Sequence, residues 1–232
     1  EVDLSAELMA GHSLGEYSAL VAAGSLEFFD AVKLVRKRAQ LMQSAVPSGT
    51  GAMAAILGLD DEQVIEICNQ SNSLGVVEAV NFNSPGQVVI AGEKEAVNNA
   101  CEAMKNAGAK RALVLPVSVP SHCSLMTDAA QEFAKSVDMV NLKIGNVGVL
   151  HNVDASVAED VNEIKSKLVE QLHKPVLWTA SVQKMKQFGI EKIVELGPGK
   201  VLAGLTRRID RSLSASIVID TATLQSTIEE II

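Results

Sequence analysis

Apolar positions along the chain change period several times, and each change marks an element. Leu8, Met9 and Ala10 form a short apolar run that leads into the segment AGHSLGEYSAL, residues 10–20. Beyond it, Tyr17, Ala19, Leu20, Val21 and Ala22 predict a helix closing at Gly24. A strand, a tight turn and a helix are therefore expected around Ser13. Ser25 is then a plausible cap for LEFFDAVKLVRKRAQLMQSAV, a helix ended by Pro47. At about 100° per residue, with Val35 at zero, Phe28, Ala31, Val32, Leu34, Ala39, Leu41, Met42 and Ala45 share an arc from about 240° through zero to about 60°. Arg38 falls near 300°, inside that apolar arc.

From Gly51 the period shortens. GAMAAILGL reads as a strand, DDEQVIEICNQ as a helix, and VVEAVNFN and QVVIAG as strands joined across Ser84-Pro85-Gly86. KEAVNNACEAMKNAG is a helix ending at Gly108, and KRALVLPV a further strand. This β-α-β-β-α-β order is that of a ferredoxin-like sheet with two helices on one face. Beyond Pro120, longer elements return: helices in SLMTDAAQEFAKSV, EDVNEIKSKLVEQL, LWTASVQKMKQFG and KVLAGLTRRID, and strands in NVGVLHNV, IEKIVEL and SASIVID. The expected fold is α/β: a hydrolase-like, parallel-sheet large domain of residues 1–49 and 116–232, with an inserted ferredoxin-like (βαββαβ) small domain, residues 50–115. The run EVDLSAELM leads almost directly into the turn, so the large domain is expected to be truncated at its amino terminus.

Composition narrows the class. Of 232 residues, 47% are hydrophobic but only 3% aromatic, so the core is built from Ala, Val, Leu and Ile, as suits a parallel sheet covered by helices. A net charge of −8 opposes general binding to nucleic acid or to an anionic membrane, and no apolar run approaches a membrane span. Cys68, Cys101 and Cys123 lack metal-ligand spacing and cannot all pair, which points to a reducing, cytoplasmic setting.

The chemistry centres on Gly-His-Ser-Leu-Gly. Flanking glycines let the chain bend so that a serine hydroxyl projects from a strand-to-helix turn, and that hydroxyl needs a base to become a nucleophile. His12, His151 and His173 are possible bases. His122, in VPVSVPSHCSLM, sits between a strand end and a helix start at the expected rim of the sheet, and is preferred. Cys123 reads as a small buried residue. Asp128 and Asp154 are both open as the acid of a triad, and a serine–histidine pair oriented by a backbone carbonyl is the alternative. Arg38 keeps its charge wherever it is placed, so on an apolar face it requires an anion, either a local carboxylate or that of a substrate. ELGPGKVLAGL departs from phosphate-loop spacing and reads as a tight connection. TRRIDR, with Arg207, Arg208 and Arg211, is a basic cluster that could dock an acidic partner.

Taken together, AGHSLGEYSAL, RKRAQLMQ, GTGAMAAI, NFNSPGQVVIAG, VSVPSHCSLM and ELGPGKVLAGLTRRI resemble, in order and spacing, the malonyl-CoA:acyl carrier protein transacylase family. The resemblance implies transfer of a malonyl group from malonyl-CoA to the phosphopantetheine thiol of acyl carrier protein, in fatty acid biosynthesis and with no cofactor. It implies Ser13 as the malonyl carrier, His122 as base, Arg38 as holder of the free carboxylate, Gln171 as the residue whose main-chain carbonyl positions the histidine, and the Leu14 N–H as an oxyanion donor. The family's amino-terminal Gly-Gln-Gly-Ser-Gln segment, whose glutamine borders the oxyanion site, has no counterpart here. A serine esterase or thioesterase, and a non-catalytic docking fragment, are the competing readings.

Overall fold

The computed structural model describes residues 5–231, so the start of the opening run lies outside the described residues. Two compact units follow one another along the chain, divided between Ser181 and Val182. In chain order the first contains Leu8–Ala10 (β1), Gly15–Ala22 (α1), Phe28–Ser44 (α2), Gly51–Leu57 (β2), Asp61–Ser71 (α3), Val77–Ser84 (β3), Gln87–Glu93 (β4), Lys94–Asn106 (α4), Arg111–Val114 (β5), Thr127–Asp138 (α5), Gly148–Leu150 (β6) and Val161–Glu170 (α6). Trp178–Gln187 (α7) begins at its end, and the second unit continues with Lys192–Leu196 (β7), Val201–Ile209 (α8), Ser214–Val218 (β8) and Thr221–Ile231 (α9).

The sheet β3-β4-β2-β5 is antiparallel throughout, which is the strand order a β-α-β-β-α-β chain needs to close its ferredoxin-like sheet. Strand residues alternate between two buried faces. Ala52, Ala54, Ile56, Val88 and Ile90 pack against Val64 and Cys68 of α3 and Val97, Ala100 and Met104 of α4. Met53, Val80, Val89 and Ala91 of the other face close over Cys123. That second face anchors the residue next to His122. Asp60 and Gln63 cap α3 reciprocally, and Gly86, at φ +70°, makes the expected turn between β3 and β4.

Elsewhere in the first unit β1 and β6 pair in parallel. Their surroundings are a core of Tyr17, Leu20, Leu34, Met126, Phe133, Leu168 and Leu172, drawn largely from α1, α2, α5 and α6. Tyr17 meets Phe133 edge to face at 6.5 Å between ring centroids. In the second unit β7 and β8 pair in parallel, and the Glu195 carboxylate accepts from the Ala203 N–H at 2.8 Å, tying the Gly-Pro-Gly connection to the first turn of α8. Among the described residues no helix is long and apolar enough to cross a membrane.

Three expectations are corrected. Ser25 does not cap α2: its N–H donates to the Leu20 carbonyl, and the helix starts three residues later behind Glu27. Phe28, Val32 and Ala39 are exposed, because the buried stripe of α2 is narrow, consisting of Ala31, Leu34, Arg38 and Met42. Helix α9 was not anticipated, since its first turn is rich in β-branched threonine; the readable signal was Asp220, whose carboxylate accepts from the Thr223 N–H at 2.8 Å. Phe133, fully buried against Tyr17, carries much of the core beneath the site. Replacing it with alanine should cost about 3–5 kcal/mol, read as a lower urea midpoint at unchanged slope.

Candidate active site

Strand β1 ends against the first turn of α1. A Cβ on Gly11 would lie 1.9 Å from the Gly15 carbonyl carbon, so only glycine permits this approach. Two residues on, Ser13 has φ +52°, a left-handed conformation that a serine adopts at a cost of roughly 1–3 kcal/mol and that surrounding bonds must hold. Asn152, just after β6, supplies them. Its Oδ1 accepts from the Ser13 N–H at 2.6 Å while its Nδ2 donates to the Gly11 carbonyl at 2.8 Å.

The Ser13 hydroxyl lies 2.8 Å from His122 Nε2. His122 is itself left-handed, at φ +68°, with its N–H bonded to the Leu172 carbonyl. Its Nδ1 is 2.6 Å from the main-chain carbonyl of Gln171, at the carboxyl end of α6, where helix carbonyls have no partner within the helix. A carbonyl can only accept, so Nδ1 carries the proton and Nε2 presents its lone pair to the serine. Burial, with the Arg38 charge as a lesser cause, lowers the His122 pKa from the ordinary 6.5 to about 3, so the ring is neutral near neutrality.

Arg38 reaches the same point from α2. It is 7% exposed, and Nη2 donates to Ser13 Oγ at 3.0 Å and to Gln171 Oε1 at 3.1 Å. Its guanidinium lies over the Tyr17 ring at 5.9 Å. No ion pair among the described residues involves Arg38, and its Nε is buried without a hydrogen-bond partner there. A buried cation in this condition is set up to receive an anion.

The structure thus brings Ser13, His122, Arg38 and Gln171 into one hydrogen-bonded group. Leu14 stands at the start of α1, half exposed, its N–H positioned at the positive end of the helix dipole. The other candidates lie elsewhere. His12 Nε2 bonds Asn83 Oδ1 at 2.8 Å and its ring lies 5.6 Å from that of Trp178. His151 is buried against Glu16, and His173 follows the end of α6. The Cys123 thiol contacts the Pro120 carbonyl and burial pushes it up to about 12, which keeps it protonated. Asp128 is exposed on α5 and Asp154 pairs with Lys167 at 3.1 Å, so neither orients His122. Arg207 donates to the Ala215 carbonyl at 2.8 Å within the second unit, and Arg208 and Arg211 are exposed.

Two participants were not singled out in the sequence. Glu16 is fully buried; its Oε1 accepts from His151 Nδ1 at 2.7 Å, and its Oε2 accepts from the Asn152 N–H at 2.9 Å and from Gln171 Nε2 at 2.8 Å. A single carboxylate in the short, otherwise uncharged helix GEYSALVA was the available signal. Asn152 gave none, since its bonds to Ser13 and Gly11 span about 140 residues of sequence.

Comparison with known proteins identifies the family. The acyl transferase domain family matches residues 4–224. The malonyl CoA-acyl carrier protein transacylase of Haemophilus influenzae is 55% identical over 223 residues, covering 96% of this chain and 72% of that protein. Its namesake in Bacillus subtilis is 45% identical over 230 residues, covering 99% and 73%. Among solved structures, an acyl carrier protein S-malonyltransferase from Vibrio cholerae superposes with a TM-score of 0.95 at 53% identity, covering 97% of this chain and 73% of that one. A malonyl-transacylase in complex with its type II PKS acyl-carrier protein gives 0.96 at 51% identity, covering 98% and 74%.

The close approach at Gly11 predicts that Gly11→Ala displaces the turn. Labelling of Ser13 by a sulfonyl fluoride, followed by intact mass, should slow by roughly 100-fold, the cost of about 1 Å of misplacement.

Proposed function

The chain belongs to the acyl transferase family, and from that premise we propose how its residues move a malonyl group from malonyl-CoA to the phosphopantetheine thiol of acyl carrier protein. The observation that carries the reading is a buried guanidinium, without a carboxylate partner among the described residues, 3.0 Å from a serine hydroxyl that also contacts a neutral histidine. Serine and histidine alone would serve any acyl transfer. The unpaired cation selects an acyl group with a distal carboxylate.

In the first half-reaction Ser13 Oγ attacks the thioester carbonyl carbon while its proton passes to His122 Nε2. The carbonyl oxygen becomes an oxyanion. The Ser13 N–H is committed to Asn152, so the Leu14 N–H is the amide left to receive it, assisted by the dipole of α1. Collapse breaks the carbon–sulfur bond, and the proton on Nε2 passes to the departing thiolate of coenzyme A, leaving malonyl-serine. The carrier's thiol then gives its proton to Nε2 and attacks the ester, the carbon–Oγ bond breaks, and Oγ recovers the proton. The Gln171 carbonyl holds the Nδ1 proton and stabilises the imidazolium in both directions. Arg38 holds the malonyl carboxylate throughout; an acetyl group would leave that cation unmatched. Three buried, unpaired cysteines are consistent with work in the cytoplasm.

Incubation with malonyl-CoA should yield a malonyl adduct at Ser13, discharged by holo-acyl carrier protein faster than by water; rapid hydrolysis without carrier would instead indicate a thioesterase. Arg38→Ala should lower the preference for malonyl over acetyl roughly 10- to 100-fold, the value of a charged hydrogen bond, in competition assays. Because the His122 pKa lies below its ordinary value, the base form persists as pH falls, so kcat/KM for malonyl-CoA should show no inflection near 6.5. An ordinary histidine would lose activity there.

A further inference from the structure

Glu16 is fully buried, belongs to the helix that follows the nucleophile, and its carboxylate hydrogen-bonds neither Ser13 Oγ nor His122. The three hydrogen bonds of the carboxylate run to His151, to the Asn152 main chain and to the Gln171 side chain. An ionised carboxylate only accepts, so it dictates which end of the Gln171 amide faces it. The NH2 end is drawn to Glu16 Oε2 at 2.8 Å and to the Ser13 carbonyl at 3.0 Å, which leaves Oε1 facing Arg38 Nη2 at 3.1 Å.

The amide therefore stands between a buried anion and a buried cation. A direct ion pair would satisfy the guanidinium and close it to a substrate. With the amide interposed, Arg38 is aimed and partly compensated, yet keeps donor capacity: Nη2 points at Ser13 Oγ and Nε has no partner among the described residues. Without the carboxylate the amide can turn over and set its NH2 against the guanidinium, donor against donor.

We propose that Glu16 is a positioning residue for acyl-group selection: acting through the Gln171 amide, it holds Arg38 in the orientation that receives the malonyl carboxylate. The proposal rests on the malonyl-transfer reading above. It assigns Glu16 an effect on choice of acyl group that is separable from general support of the turn, because acetyl transfer makes no use of the guanidinium's free donors.

The test measures Ser13 acylation by malonyl-CoA and by acetyl-CoA, separating kcat from KM, in the complete polypeptide and its Glu16→Gln and Gln171→Met variants. Glu16→Gln keeps the shape and removes the accept-only character. Gln171→Met removes the intermediary without burying a new charge. In each variant the malonyl-to-acetyl ratio of kcat/KM should fall by roughly tenfold or more, mainly through a higher KM for malonyl-CoA, with acetyl transfer reduced much less. The double variant should lose no more selectivity than either single one, because both cut the same relay. Equal losses for the two substrates would reduce Glu16 to a structural role and overturn the proposal. A rise in malonyl preference would do the same, since it would make Glu16 only a charge repelling the substrate. If Glu16→Gln fails to fold, an unchanged ratio in Gln171→Met still overturns the relay. A parent protein that forms no malonyl-serine would sink the functional reading and the relay with it; normal loading with unshifted variant ratios would sink the relay alone.

Discussion

Gln171 has every hydrogen-bonding group committed. Its main-chain N–H continues α6, its carbonyl takes the His122 Nδ1 proton, its Oε1 faces Arg38, and its Nε2 divides between Glu16 and the Ser13 carbonyl. The residue is fully buried, so water cannot substitute for any of these partners. One side chain and one peptide carbonyl thereby set the tautomer of the base and the direction of the cation together. The place of Gln171 at the end of α6 makes this possible, since a helix end offers carbonyls without partners in the helix.

The site is charged yet buried, and its electrostatics follow from that combination. Desolvation disfavours a second cation near Arg38, and His122 responds by staying neutral. Arg38 responds differently: burial lowers its pKa, but guanidinium starts so high that it stays charged. The same surroundings thus yield a proton acceptor from one side chain and an anion receptor from the other. Compensation for the cation comes through an amide from Glu16, and His151 shares the remaining oxygen of that carboxylate. Backbone strain is concentrated here as well, since Ser13 and His122 are two of the three non-glycine residues with positive φ among the described residues.

Much of this was legible along the chain. Gly11, Ser13 and Gly15 around the start of a helix announce a sharp turn, and at Gly11 glycine alone fits where the two elements touch. Arg38 stood out because a helix of period 3.6 brought it into an apolar stripe, and it is buried there. The β-α-β-β-α-β segment followed from local alternation and turn residues, which act over a few positions. Details that depend on neighbours far along the chain were not legible. Ser25 resembles a cap, but its carbonyl is held by the distant Lys143 N–H at 3.0 Å and the helix starts later, and Phe28 and Val32 are exposed although the period admits them to the apolar face.

The amino-acid sequence by itself determined the turn, the small antiparallel sheet, the apolar setting of Arg38 and the family resemblance, because each rests on local periodicity, backbone sterics or residue type. Only the tertiary structure put the Gln171 carbonyl that the resemblance implied against His122, leaving Asp128 and Asp154 away from it, and showed that Glu16 and Asn152 belong to the site. Those outcomes depend on hydrogen bonds joining residues up to 158 positions apart, whose partners are chosen by packing and leave no periodic trace in the chain.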